Sequence, residues 1–199
     1  EYLSGKFGWK IGPENIAITN GSQSAFFYLF NLFSGTFSAS GKKKTIVLPL
    51  VPEYIGYADQ GLEKDTFVGI PASFTMFDNH TFKYNIDFEK LEDYLENHDN
   101  VGALCVSRPT NPTGNVLTNN EIHHLAKLAA QYDIPLMVDN AYGLPWPDII
   151  FDDGAIPYWD ENVILSMSLS KIGLPSLRTG IVIADKRIIT ALSNLNAIV

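Results

Sequence analysis

Short apolar runs rich in β-branched residues alternate along this chain with segments whose apolar positions recur at helical spacing. Thr45–Leu50, Phe67–Ile70, Val101–Ser107, Leu136–Asp139, Val163–Ser168 and Gly180–Ala184 read as strands, and Ile16–Thr19 as a short extended lead-in. After Asn20–Gln23, the positions Ala25, Phe26, Leu29, Phe30, Leu32 and Phe33 mark a helical run. Phe88, Leu91 and Leu95 make the stripe of an amphipathic helix over Asp87–Asn97, with Asp87 as its cap. Thr118 and Glu121 have the spacing of a capping box and open a helix through Gln131. Asp185 caps a last helix near Lys186–Asn196.

Strands that are apolar throughout, alternating with helices, predict an α/β fold: a three-layer αβα sandwich whose mainly parallel sheet is covered on both faces. In such sheets ligands bind beyond the carboxyl ends of the strands. The polar residues of this chain collect just there: Asn20–Gln23, Pro52–Tyr54, Arg108–Asn115, Asp139–Tyr142 and Ser168–Lys171. A parallel sheet would bring several of them to one rim.

Composition adds exclusions. With 199 residues, 46% of them hydrophobic, the chain can bury one sizeable core. Lys and Arg number 14 against 22 Asp and Glu, a formal net charge of −8. That balance argues against nucleic acid or an anionic membrane as partner, but not against a small anion held by a local donor cluster. No segment is long and apolar enough to span a bilayer. The single cysteine, Cys105, lies in an apolar run and rules out a disulfide framework within the chain, which fits a reducing, cytoplasmic compartment. His80, His98, His123 and His124 show no zinc-site spacing, so no metal is expected. The chain starts at Glu1 with neither an initiator Met nor the shape of a signal peptide, and is expected to be a piece of something longer.

Four stretches could carry chemistry. Gly21, Ser22 and Gln23 form a glycine-led turn into a helix, where free N–H groups and the helix dipole favour phosphate; a plain cap is the alternative. Asp139 follows an apolar strand directly, a costly place for a carboxylate unless it faces a cation such as a protonated pyridine nitrogen; otherwise it is a loop or cap aspartate. Lys171 stands among serines, between Val163–Leu165 and Ile172–Leu174. Partly apolar surroundings would make its amine nucleophilic, and Arg178, seven residues on, could offer a fork of donors to phosphate; the alternative is a solvated lysine and a surface arginine. The turn Ser107–Asn115, stiffened by two prolines and a glycine, could hold the Asn111 amide rigidly, or be structural only.

The order of these stretches is more specific than any one of them. TNGSQSA, PEYIGY, RPTNPTGN, VDNAY and SLSK with a following Arg together resemble fold-type-I pyridoxal-phosphate aminotransferases of the aspartate aminotransferase superfamily. More narrowly, GSQSAFFYLFNLFSG, LPLVPEYIGYADQGLE, CVSRPTNPTGNV, VDNAYGLPWPDIIF and SMSLSKIGLPSLRTGI make nearly the whole chain similar to the valine–pyruvate aminotransferase family. The resemblance implies pyridoxal 5′-phosphate as cofactor and Lys171 as the residue that carries it covalently and later shuttles a proton. It implies Asp139 at the pyridine nitrogen, Tyr142 and Asn111 at the phenolic oxygen, and Tyr54 stacked on the ring. It places Gly21, Ser22, Gln23, Ser168 and Arg178 around the phosphate. An amino acid and a 2-oxo acid are the implied substrates, most narrowly valine and pyruvate. A β-lyase or decarboxylase on the same scaffold, or a cofactor-sensing regulatory module, are the competing possibilities.

Two departures stand out. Relatives commonly space the lysine and arginine by eight and place a glycine two residues before the arginine, where this chain has Ser176. The resemblance also implies that residues 1–199 are a large domain lacking its N-terminal arm and C-terminal small domain. The arginine for the substrate carboxylate would then lie outside the chain, and the full-length protein would be a homodimer. On that basis the isolated 199 residues are expected to turn nothing over.

Overall fold

The computed structural model describes residues 1–150, 152 and 154–198. The chain opens with α1 (Tyr2–Phe7) and continues through β1 (Ile16–Thr19), α2 (Ser22–Phe33), β2 (Gly35–Thr36), β3 (Lys43–Val51) and β4 (Phe67–Pro71). Next come β5 (Ser73–Met76), β6 (Phe82–Asn85), α3 (Phe88–Asn97), β7 (Val101–Ser107), α4 (Asn119–Gln131) and β8 (Leu136–Asp139). The chain closes with β9 (Val163–Ser168), β10 (Gly180–Ile183) and α5 (Lys186–Asn196).

One sheet runs in the order β1-β10-β9-β8-β7-β3-β2, with β4 also paired to β3. The contacts β4/β3, β3/β7, β7/β8 and β8/β9 are parallel. The expected mainly parallel sheet is therefore present, with two additions. β10 is antiparallel to both of its neighbours, and Ile16–Thr19 is not a mere lead-in but an edge strand beside it. Among the described residues no helix is long and apolar enough to cross a membrane.

Every residue of β7, β8 and β9 is buried, which is why their sequences run apolar without alternation. Alternate side chains still go to opposite faces. Leu104, Val106, Leu136, Val138, Val163 and Leu165 join the core that also takes Leu91 and Leu95 of α3 and Leu125 and Leu128 of α4. Ala103, Cys105, Met137, Ile164 and Val182 join a second core with Phe26, Leu29 and Phe30 of α2 and Ile189 and Leu192 of α5. Three layers result, as the pattern predicts.

Helix entrances follow the sequence closely. Asp87 accepts from the Lys90 N–H at 3.2 Å, and Asp185 from the Arg187 N–H at 2.9 Å. Thr118 and Glu121 complete a capping box: Thr118 N donates to Glu121 Oε2 at 2.8 Å while Glu121 N donates to Thr118 Oγ1 at 3.2 Å. Missed by periodicity were α1, the two-residue β2, which pairs antiparallel with β3, and the hairpin β5–β6, whose two strands pair Ser73 with Asn85 through Met76 with Phe82.

Candidate functional site

The alternation that builds the second core also selects what reaches the rim. Two residues beyond Cys105 stands Ser107, two beyond Met137 stands Asp139, and two and four beyond Ile164 stand Ser166 and Ser168. Ser107 pairs with Asp139 in the β7/β8 register and Asp139 with Ser166 in β8/β9. Polar groups thus form a row across the carboxyl ends of three strands, on the face that α2 covers. Because β10 runs backwards, it is its beginning that meets this rim, with Gly180 opposite Ser168 and Arg178 just before it.

A cavity of about 290 Å³ opens here. That is near the lower end of the roughly 300–1,000 Å³ of small-molecule sites. Its lining includes Ser22, Gln23, Tyr54, Asn111, Asp139, Tyr142, Ser168, Lys171 and Arg178, nine of the ten positions singled out from the sequence. The tenth, Gly21, stands immediately behind: a Cβ there would come within 2.5 Å of Arg178 Nη2. Ser107, Ser170 and Phe26 line the same space and were not among the ten.

Each wall has a local cause. Gly21 adopts φ 89° and ψ 157°, a conformation that turns β1 into α2, and unlike α3, α4 and α5 this helix has no side-chain cap at its entrance. Its first N–H groups stand beside Ser22 and Gln23 at the cavity wall. Gly180 lets β10 press against this entrance, since a Cβ there would lie 2.6 Å from Ser22 N. The Gln23 side chain is engaged elsewhere, donating to Gly56 O at 3.2 Å. Gly56 in turn leaves room for the Tyr54 ring, which a Cβ would strike at 2.3 Å. On the opposite wall the turn is closed by Thr110 N donating to Asn115 O at 2.8 Å and Gly114 N donating to Thr110 O at 2.7 Å, and it carries Asn111.

Lys171 lies in a short 3₁₀ turn over Leu169–Ile172, with Nζ 4.9 Å from the centroid of the Tyr142 ring. The expected apolar enclosure of this lysine is not found. Lys171 is exposed, and so are Ile172 and Leu174, because the whole segment from 171 to 178 lies outside the layers, on the rim. Arg178, in a left-handed conformation at φ 45°, turns back so that Nη1 donates to Ser170 Oγ at 3.4 Å. The seven-residue spacing thus still delivers the guanidinium to the cavity.

Asp139 is buried at 9% exposure and receives hydrogen bonds from Tyr57 Oη at 2.8 Å and Ala141 N at 3.0 Å. Burial pushes its carboxyl above the usual aspartate value, against those two donors and the charge of Lys171. A buried carboxylate held this way has a use for a cation in the cavity before it. Sequence reasoning assigned no role to Tyr57 or to Glu53, which accepts from Ser107 N at 2.7 Å and Tyr54 N at 2.9 Å. The signal was present: a glutamate directly after an apolar strand must find donors if it is covered.

Pyridoxal 5′-phosphate fits this lining on two observations. The uncapped entrance of α2 and the Arg178 guanidinium meet behind one end of the cavity, as a phosphate dianion needs. The buried Asp139 sits where a protonated ring nitrogen would supply the missing positive charge.

Comparison with known proteins agrees. The chain is 55% identical over 197 residues to the valine–pyruvate aminotransferase of Escherichia coli strain K12, covering 99% of this chain and 46% of that protein. The crystal structure of a putative amino-acid aminotransferase from Psychrobacter arcticum 273-4 superposes with a TM-score of 0.94 at 51% identity, over 100% of this chain and 46% of that one. The valine–pyruvate aminotransferase AvtA from Salmonella typhimurium LT2 gives 0.87 at 52% identity, over 99% and 47%. The chain therefore spans less than half the length of these relatives. Residues 7–199 match the model of aminotransferase class I and II, and with the fold and the cavity on the same side of the argument, the chain belongs to that family.

Proposed function

We propose that residues 1–199 form the cofactor-binding part of a pyridoxal-phosphate-dependent transaminase. It moves an amino group between an aliphatic amino acid and a 2-oxo acid, most narrowly from valine to pyruvate. The observation that carries this is the meeting of Lys171, Asp139, Arg178 and the α2 entrance around one cavity. The 55% identity to a valine–pyruvate aminotransferase supports the narrower substrate pair. The cofactor is pyridoxal 5′-phosphate, which when bound provides an electron sink that makes the substrate Cα proton removable.

The chain's own residues have the following parts. Lys171 Nζ would be the attachment point and, when its amine is free, the group placed to move a proton at the substrate Cα. Its exposure on the rim leaves the amine room to leave and return. Asp139, fixed by Tyr57 and the Ala141 N–H, would keep the ring nitrogen protonated. Tyr142 and Asn111 would serve the phenolic oxygen, and Tyr54 the ring. Ser22, Gln23, Ser168 and Arg178 would hold the phosphate, with Gly21 permitting the turn; Ser22 and Gln23 would act partly through backbone N–H. The full-length protein is cytoplasmic and homodimeric, and its substrate-carboxylate arginine lies outside this chain.

The test uses the full-length protein with valine and pyruvate beside aspartate, aromatic and alanine donors. Formation of 2-oxoisovalerate and alanine at the highest kcat/KM is expected. A preference for another donor would overturn the substrate pair, and no amino transfer at all would overturn the reaction. Lys171→Ala should abolish the covalent, borohydride-fixed attachment of cofactor seen by mass spectrometry. Attachment persisting on another lysine would overturn the site.

A further inference from the structure

Asp139 has to stay ionised if it is to keep a proton on a ring nitrogen, and its burial works against that. Among the described residues no cation stands within salt-bridge distance of it. Lys171 contributes its charge from farther away. In the functional reading Lys171 is also the attachment point, so that charge is not constant through the reaction. Two hydrogen bonds remain. The Ala141 N–H, 3.0 Å from Oδ1, is backbone, and any residue but proline at that position would supply it. The other comes from Tyr57 Oη, 2.8 Å from Oδ2 and 82 residues away along the chain. Among the described residues it is the only side-chain hydrogen bond to this carboxylate.

Tyr57 is held as a fixed donor. It ends the 3₁₀ turn Ile55–Tyr57, and only 3% of it is exposed. Its ring lies 5.2 Å from that of Phe26 and 5.1 Å from that of Phe30, both on α2. On a third side it meets the Tyr54 ring edge to face at 5.4 Å and 90°. Aromatic packing therefore fixes where the phenol points. Burial, and then the charge of Asp139, push the phenol well above its ordinary value, so it keeps its proton.

We infer that Tyr57 is a positioning residue which, through its hydrogen bond to Asp139 Oδ2, decides whether the proton shared between Asp139 and the cofactor ring stays on the ring. The inference rests on the functional reading above and adds a residue to its site.

A donor to a carboxylate favours the ionised form. Without the phenol, Oδ2 is a buried acceptor with no partner, and the cheapest remedy is to bind a proton. The carboxyl then competes with the ring nitrogen. The titratable groups facing Asp139 are Tyr57 on its turn, Cys105 on β7, Glu53 after β3 and Lys171 on the rim. Lys171 is the only cation among them. Burial already raises the Asp139 carboxyl, with the phenol first among the groups that oppose this.

The experiment uses the full-length protein and Tyr57→Phe, which keeps the ring and removes the hydroxyl. In the cofactor-free form, ¹³C NMR of carboxyl-labelled aspartate follows Asp139, whose signal is assigned by its loss in Asp139→Asn. Its pH midpoint should rise by roughly one pH unit or more in Y57F. With cofactor bound that carries ¹⁵N in the ring, the nitrogen resonance should move from the protonated position toward the unprotonated one, in the direction of D139N. A purely structural role predicts wild-type values for both signals in Y57F, because every ring contact is retained. An unmoved or lowered Asp139 midpoint, or an unmoved nitrogen resonance, overturns the inference. Should Y57F not fold, 3-fluorotyrosine placed at position 57 takes over. As a stronger donor of nearly the same size it should lower the Asp139 midpoint, and an unchanged or raised midpoint overturns the inference. Absence of cofactor binding in the wild type would instead sink the functional reading, and the cofactor-free titration would still show whether Tyr57 controls the proton affinity of Asp139.

Discussion

Replacing Gly21 with alanine tests whether the α2 entrance and Arg178 act as one clamp on phosphate. The new Cβ would stand 2.5 Å from Arg178 Nη2 and 3.1 Å from its Cζ. To reach ordinary contact the guanidinium must retreat by about an ångström. Holding a non-glycine residue at φ 89° adds strain of about 1–3 kcal/mol. That strain falls on the folded state whether or not cofactor is bound, so it should appear as lost stability of the cofactor-free protein. Displacement of Arg178 acts mainly on binding, since in the cofactor-free protein it gives up only an exposed 3.4 Å hydrogen bond to Ser170 Oγ. A charge-assisted hydrogen bond contributes roughly 1.5–3 kcal/mol, and the exposure of Arg178 selects the lower end. At 1.4 kcal/mol per decade, this is about a tenfold loss of affinity. Absorbance titrations of full-length wild type and G21A with pyridoxal 5′-phosphate should show it. Titrations with pyridoxal, which has no phosphate, should agree within about twofold. R178Q supplies the cycle: because the alanine methyl acts through the guanidinium, G21A/R178Q should bind no more weakly than R178Q alone. Additive losses, or wild-type affinity in G21A, would refute the shared clamp.

Three other outcomes are expected. Glu53 and Asp139 both have raised folded-state values, so the native state holds protons that the unfolded chain releases, and stability falls as pH rises. For Glu53 the fall runs from about pH 4.5 to about 7 and amounts to roughly 3 kcal/mol at most; urea midpoints of the cofactor-free protein across that range measure it, and E53Q should flatten it. Asp87, Asp99, Glu63 and Asp185 shift the other way, but they are exposed or nearly so and lose their contribution only at lower pH. Arg108→Met strands two carbonyl acceptors, Leu117 O and Ile156 O, now bonded at 2.7 and 2.8 Å, while Asn119 Oδ1 keeps the Ile156 N–H at 3.0 Å, and should cost about 2–4 kcal/mol in chemical denaturation. Thr118→Ala opens the capping box of α4 and should cost about 1 kcal/mol by the same assay.

The contrast between what the sequence disclosed and what it hid has a physical basis. β7, β8 and β9 are covered on both faces, so their apolar runs and the polar residue ending each run were both legible. The caps Asp87, Thr118 and Asp185 announce helices by local chemistry that needs no tertiary partner. The strand β5 is exposed at all four positions, so burial imposes no alternation on it, and α1 is too short to show a period. The same division runs through the site. Lys171, Asp139 and Arg178 are recognisable because motif order carries them. Glu53 and Tyr57 act on groups 54 and 82 residues away, across strands whose register no local pattern displays. The direction of β10 was likewise hidden, since a four-residue apolar strand looks alike from either end.

That reversed strand makes β9 and β10 the two arms of a caliper. Ser168 and Gly180 are locked opposite each other, so the span between them is fixed by the ladder however the chain travels in between. The amine and the guanidinium both ride on the intervening segment, Lys171 within a 3₁₀ turn over Leu169–Ile172 and Arg178 just after a second over Pro175–Leu177. Inserting or deleting a residue there would leave the arms in place and change only the gap between the jaws. Spacing from lysine to arginine can therefore drift by one among relatives without disturbing the sheet, provided the turns absorb the difference.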